Sequence, residues 1–137
     1  RHVKTFDDPS VVILSGTMQL EKTDPEVLSE RRKEFMKKRQ QTQPINLPTS
    51  GSVFKNPQND HAARLIDRCG LKGFKIGNAA VSTKHANFIV NEGGAKASDV
   101  LQIMKKVKET VSERFSVALE LEVKLVGFSP DELKNLI

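Results

Sequence analysis

Hydrophobic positions change spacing several times along the chain, and each spacing predicts an element. Residues 11–20, VVILSGTMQL, form an apolar run rich in β-branched side chains, which is typical of a buried strand. The following TDPE, residues 23–26, supplies a capping aspartate, a proline for the first helical position and an acidic first turn. We therefore expect a helix to about Gln41, ended by Pro44 and Pro48.

The middle of the chain predicts shorter elements. Residues 62–69, AARLIDRC, indicate a helix stopped by Gly70, with Cys69 on its apolar face as a core residue. FKIGNAAVS (74–82) and HANFIVNE (85–92) predict two strands, and the glycine pair GG at 93–94 predicts a turn after them.

The last third carries the clearest periodicities. Apolar side chains recur at helical spacing over 98–115, so one face of this helix should meet a core. Residues 118–126, ALELEVKLV, alternate as a half-buried strand does, and Ser129 with Glu132 suggests a capping box for a final helix. The mixed order predicts an α+β fold, with a small, mostly antiparallel sheet covered by helices on one side.

Net charge is concentrated in one segment. RRKEFMKKR, residues 31–39, holds six basic residues and one acidic residue. Its net charge of +5 equals the formal net charge of all 137 residues. The segment suits either a solvated helix face or an anion-binding surface. GLKG, residues 70–73, matches the loop of KH modules, so a small RNA-binding module is the alternative function, although a strand rather than a helix is predicted to follow it.

Several other sites and settings are excluded by pattern. The glycines fit neither a dinucleotide fingerprint nor a phosphate-binding GxxxxGK[ST] loop. The three histidines lack metal-ligand spacing, and Cys69 is the single cysteine, so neither a zinc site nor an internal disulfide is expected. No apolar run approaches the roughly 20 residues that span a bilayer, which favours a cytoplasmic setting.

Four runs together carry a family resemblance: SGSVFKNP, LIDRCGLKG, IGNAAVSTKHANFIVNEGGAKASDV and LELEVKLVG. In this order and spacing they resemble the carboxy-terminal part of UDP-N-acetylenolpyruvoylglucosamine reductases, over about residues 11–127. The resemblance implies an FAD-dependent, NADPH-using enzyme of peptidoglycan precursor synthesis. It assigns residues 1–22 to the end of an FAD-binding domain, 23–44 to a connecting helix, 45–128 to the substrate domain and 129–137 to a helical tail.

The same resemblance implies roles for individual residues. Ser52 of SGSVFKNP is expected to donate a proton to the reaction intermediate, and Glu122 to stabilise that intermediate. Lys55, Asn56, Lys72 and His85 match substrate-binding positions for UDP-N-acetylglucosamine enolpyruvate, although some family members have glutamine at the position of His85. Arg1 corresponds to a catalytic arginine, but RHVKTF departs from the family's YRxSxF motif. FAD itself is expected to bind mainly to an amino-terminal half, which is the implied partner.

Overall fold

The structure, a computed structural model, describes residues 10–134. The chain divides into two compact units, Arg1–Lys33 and Glu34–Ile137. Its elements are α1 (Pro25–Thr42), β1 (Thr49–Ser52), α2 (Ala62–Arg68), β2 (Lys75–Ile76), β3 (Ala79–Val81), β4 (Phe88–Asn91), α3 (Ala97–Phe115) and α4 (Pro130–Leu133). No helix among the described residues is long and apolar enough to cross a membrane.

The first unit differs from the prediction before its helix. Residues 11–20 belong to no helix or strand in the structure, and apolar side chains such as Val12 and Leu14 are exposed. The predicted buried strand is therefore wrong for the described chain. A strand needs a neighbour for its N–H and C=O groups, and no described residue pairs with this run. Helix α1 begins as predicted, because Asp24 Oδ1 accepts the Glu26 N–H at 2.8 Å.

The second unit contains one antiparallel sheet in the order β1-β4-β3-β2. The predicted strand over residues 74–82 is wrong, because these residues form a hairpin, in which Lys75 pairs with Ala80 and Ile76 with Ala79. Gly77 adopts a φ of 56° at the turn, which a glycine reaches without the strain of a Cβ. A glycine inside a strand-like run marked this break.

The core lies between the sheet and the helices α2 and α3. Helix α3 buries Ile103, Met104, Val107 and Val111 against one sheet face. The last three belong to the apolar stripe that the helical spacing predicted, whereas the end residues of that stripe, Val100 and Phe115, are partly buried. Cys69 packs at the edge of this core, with its Sγ 3.7 Å from the Thr110 carbonyl oxygen, and burial raises the pKa of its thiol. The helices thus cover one face of the sheet, which confirms the predicted α+β architecture.

The alternating segment 118–126 keeps its pattern but forms almost no strand. Leu119 is buried and Glu120, Glu122 and Lys124 are exposed, so the predicted faces are correct. Only Leu121 pairs, through an isolated antiparallel bridge to Phe54. The prediction of a continuous strand is wrong because β1 is irregular where the segment would continue to pair. The capping box predicted at Ser129 and Glu132 lies outside the described side chains.

Candidate functional site

The candidate site is organised by an irregularity in β1. Thr49 lies opposite Val90 and Ser52 opposite Phe88, so β1 has one residue more than β4 between these pairs. Gly51 accommodates the extra residue with a φ of 85°. Residues three apart in a regular strand lie on opposite faces, whereas this bulge places Thr49 and Ser52 on the same face. That face also carries Phe88 and Val90, and it is the face turned away from α3.

The backbones of Ser52 and Glu122 both adjoin that of Val53. The Glu122 N–H donates to the Val53 carbonyl oxygen at 2.8 Å, and Ser52 directly precedes Val53. Among the described residues, no side chain or backbone group hydrogen-bonds to the Ser52 hydroxyl, and the Glu122 carboxylate has no ion pair. Ser52 is half-buried and Glu122 is exposed, so both groups are available to a ligand.

Lys55 contacts the other glutamate of the segment. Its Nζ lies 3.1 Å from Glu120 Oε2, and its N–H donates to the Glu120 carbonyl oxygen at 2.9 Å. These contacts separate the roles of the two glutamates, since Glu120 is paired and Glu122 is not. The substrate-binding role of Lys55 stays a prediction, and in the structure its ammonium group is directed toward Glu120.

Asn56 lies at the start of helix α2. Its Oδ1 accepts the Ala62 N–H at 3.1 Å and so satisfies one of the unpaired donors of the helix end. The amide nitrogen remains as a donor on an exposed side chain. A substrate-binding role for Asn56 therefore has to use that nitrogen, and it stays a prediction.

Lys72 lies in the loop that joins α2 to β2. Its Nζ is 2.8 Å from Asp67 Oδ2, on a partly exposed surface. The GLKG loop leads into β2 rather than into a helix, as the sequence indicated, so it lacks the surroundings of a KH loop. The RNA-binding alternative thereby loses its loop, and it keeps only the basic segment 31–39, which is exposed on α1.

His85 lies in the β3–β4 loop, close to both Lys72 and the Ser52 strand. Its ring centroid is 4.7 Å from that of Phe88, the residue opposite Ser52. Burial lowers the pKa of His85, and the nearby Lys72 charge adds to this effect. The Asn87 N–H donates to His85 Nδ1 at 3.3 Å, so the neutral ring carries its hydrogen on Nε2. His85 can therefore offer a donor, as the resemblance requires of this position.

Asn87 is a residue whose importance the sequence analysis missed. It is 4% exposed, and its side chain bonds to both backbone groups of Phe54: Oδ1 accepts from N at 3.0 Å and Nδ2 donates to O at 2.8 Å. An asparagine inside a strand-like run, HANFIVNE, was the available signal, since asparagine is uncommon in strands.

Two further predictions concern Arg1 and metal binding. Arg1 lies outside the described residues, so its catalytic role stays a prediction. Within residues 10–134, no group of three or more His, Cys, Asp or Glu side chains is arranged to hold a metal ion.

The structure is thus that of a small α+β domain. Its bulged strand β1 carries Ser52, whose hydroxyl has no hydrogen bond among the described residues, and the neighbouring segment carries the exposed carboxylate of Glu122. Comparison with known proteins specifies the class. Residues 43–126 match the family model of the UDP-N-acetylenolpyruvoylglucosamine reductase, C-terminal domain. Because this match covers more than half of the chain, the chain belongs to the family of UDP-N-acetylenolpyruvoylglucosamine reductases.

Individual relatives agree with the family match. The chain is 48% identical over 121 residues to UDP-N-acetylenolpyruvoylglucosamine reductase 2 of Symbiobacterium thermophilum, covering 88% of this chain and 39% of that protein. It is 57% identical over 95 residues to the reductase of Nitrosospira multiformis, covering 69% of this chain and 27% of that protein.

A solved structure shows the same fold. The crystal structure of the reductase from Thermus caldophilus is 40% identical, with a TM-score of 0.64, over 77% of this chain and 37% of that chain. The chain therefore spans two fifths or less of these three relatives.

Proposed function

We propose that this chain is the substrate domain of an FAD-dependent, NADPH-using reductase that converts UDP-N-acetylglucosamine enolpyruvate to UDP-N-acetylmuramate. The observation that supports this most is that the Ser52 hydroxyl and the Glu122 carboxylate, neither of which has a hydrogen bond or ion pair among the described residues, belong to residues whose backbones both adjoin Val53. The family membership suggests the reaction, and we assign the roles of acid and carboxyl group to Ser52 and Glu122.

The reaction needs a proton donor beside the substrate. The hydride for the methylene carbon of the enolpyruvyl group comes from FAD that NADPH has reduced. The neighbouring carbon then carries an electron pair and must gain a proton for the product to form. A serine hydroxyl is a very weak acid, so it donates only to a strongly basic centre and only when it is positioned close to it. Two observations support Ser52 in this role: the bulge fixes its face, and no described group hydrogen-bonds to its hydroxyl.

The described residues fit the substrate side of this reaction. Lys72 and the Nε2–H of His85 suit the anionic diphosphate of a UDP-sugar, and the free amide nitrogen of Asn56 suits a neutral acceptor on the sugar or base. The residues that hold FAD are proposed to lie in the part of the relatives that this chain does not span. FAD and substrate would then meet only when both parts are present.

The test separates the two half-reactions of a complete reductase that contains this chain. Ser52→Ala should leave reduction by NADPH at its normal rate, because the hydroxyl has no part in it. Reoxidation by the enolpyruvyl sugar should slow by about 10²–10⁴-fold, the usual contribution of a positioned acid. Stopped-flow absorbance measures both rates.

Ser50→Ala is the matched control, because Ser50 is an exposed serine of the same bulged strand. It should leave both half-reactions unchanged. Ser52→Cys should keep part of the reoxidation rate, since a thiol also donates a proton. A normal reoxidation rate for Ser52→Ala would return Ser52 to the role of a turn residue and transfer the proton to Glu122 or water.

A further inference from the structure

The backbone N–H and C=O groups of Phe54 have no backbone partner in the sheet. Lys55 N–H bonds to the Glu120 carbonyl and Glu122 N–H to the Val53 carbonyl, which brackets the Phe54–Leu121 bridge. In an antiparallel pair bracketed in this way, the two opposed residues do not bond to each other. The N–H and C=O of Phe54 therefore point away from residues 119–125. Phe54 is only 1% exposed, so both groups need a partner inside the protein.

One side chain satisfies both groups. The Asn87 carboxamide accepts the Phe54 N–H and donates to the Phe54 carbonyl, as a neighbouring strand would. The backbone carbonyl oxygen of Asn87 also accepts the Val53 N–H, at 2.9 Å. Asn87 thus fixes two consecutive residues of the segment that carries Ser52, at the point where β1 stops pairing with β4.

We propose that Asn87 is a positioning residue that sets Ser52 and Glu122 at the distance the protonation step needs. The inference deepens the function proposed above and rests on it. The connection runs through the backbone of residues 52–54: the Asn87 side chain holds both backbone groups of Phe54, and the preceding residue Val53 accepts the Glu122 N–H and follows Ser52. The bond from the Val53 N–H to the Asn87 backbone carbonyl stays in any side-chain variant, so the variants test the Phe54 bonds alone. Asn87 does not act on substrate, because it is buried and both ends of its carboxamide are occupied.

Two variants of a complete reductase that contains this chain test the role. Asn87→Leu removes both side-chain hydrogen bonds to Phe54 with a side chain of similar size. Asn87→Asp keeps an acceptor for the Phe54 N–H but loses the donor to the Phe54 carbonyl. Reoxidation by the enolpyruvyl sugar should slow by about 10–100-fold in Asn87→Leu, as displacements near 1 Å do in active sites, and by less in Asn87→Asp. Reduction by NADPH and the Kd for the UDP-sugar should change little.

Asn91→Ala is the matched control. Asn91 lies at the other end of β4 and is also structural, since its Oδ1 accepts the Gly93 and Ala95 N–H groups at 2.8 and 3.1 Å. It should lower the melting temperature without slowing reoxidation. A purely structural role for Asn87 predicts the same result for the Asn87 variants, and that result would overturn the inference.

A double variant shows whether Asn87 acts through Ser52. If it does, Ser52→Ala with Asn87→Leu should reoxidise no more slowly than Ser52→Ala alone, because there is no hydroxyl left to misplace. Losses that multiply would overturn the positioning role. If reoxidation is slow in Ser52→Ala but normal in the Asn87 variants, only this inference is refuted. If reoxidation is normal in Ser52→Ala, the proposed function is refuted and the inference with it.

Amide hydrogen exchange tests the hydrogen bonds in the unmodified reductase, so the outcome does not depend on whether a variant folds. The Val53 and Phe54 amides should exchange as slowly as those of the buried face of α3. Exchange as fast as that of residues 11–20, which belong to no helix or strand, would show that the Asn87 bonds do not persist and would overturn the proposal.

Discussion

Two lysines of the candidate site form ion pairs in the structure: Lys55 pairs with Glu120, and Lys72 pairs with Asp67. Ion pairs at partly exposed positions contribute only about 0–1 kcal/mol, because water and salt screen them. A diphosphate can therefore replace Asp67 as the partner of Lys72 at little cost. At the scale of residues, the candidate site combines two groups without a hydrogen-bond or ion-pair partner among the described residues, on Ser52 and Glu122, with two lysines in weak ion pairs, Lys55 and Lys72.

Lys72→Ala should consequently weaken substrate binding rather than slow the reaction. A diphosphate contact is present both before and during the chemical step, so its loss raises KM, by about 10-fold or more, while kcat changes little. Steady-state kinetics with the enolpyruvyl sugar measure both constants. Lys75→Ala is the matched control, because Lys75 is an exposed lysine with its own carboxylate partner, Glu92 at 2.5 Å. A KM for Lys72→Ala equal to that of the control would make Lys72 an ordinary surface lysine.

At the scale of elements, the glycines decide where strands bend and break. Gly51 carries the bulge that orients Ser52, and Gly77 carries the β2–β3 turn. A Cβ on Gly51 would meet no atom within 4 Å, so only its φ of 85° opposes a side chain. A Cβ on Gly77 would lie 2.5 Å from Asp99 Oδ2, an atom that already accepts the Lys96 N–H at 2.9 Å.

Three alanine substitutions should therefore form a graded series in free energy of unfolding. Gly16→Ala should cost nothing measurable, because a Cβ there meets nothing and the residue has no positive φ. Gly51→Ala should cost about 1–2 kcal/mol for the left-handed backbone. Gly77→Ala should cost about 1–3 kcal/mol more, since Asp99 must also move. Urea unfolding followed by circular dichroism ranks them. Equal stability of Gly51→Ala and Gly16→Ala would contradict the bulge geometry.

At the scale of the molecule, the chain contains the C-terminal domain of its family and covers two fifths or less of the relatives described above. The match to the family model begins at residue 43, after helix α1. The expected domain boundaries at 22, 44 and 128 stay predictions, and the division between the two compact units falls after Lys33, within α1.

The 137-residue chain by itself should not retain FAD or oxidise NADPH, because the residues proposed to hold the flavin lie outside it. Absorbance in the flavin bands after purification, and NADPH consumption with added FAD, measure this directly. Addition of the FAD-binding part of a complete reductase should restore the yellow complex. A stoichiometric flavin on the chain alone would show that the FAD-binding residues are within it.

Local chemistry in the sequence determined much of this protein. Helix α1 begins where Asp24 and Pro25 predict, α2 ends before Gly70, and α3 buries the residues that recur at helical spacing. These features depend on neighbours within about one turn, so a single sequence contains them. The SGSVFKNP run likewise identified the family that the comparison then showed.

Tertiary structure decided what depends on distant partners. Residues 11–20 and 118–126 have strand-like patterns, but a strand forms only where another backbone accepts its hydrogen bonds, and a pattern does not reveal whether one is present. The face of Ser52 is set by one extra residue relative to β4, which the alternation of β1 alone cannot show. Asn87 bonds to a residue 33 positions away, and the Glu122 N–H bonds to the Val53 carbonyl next to Ser52, because folding brings together groups that are far apart in sequence.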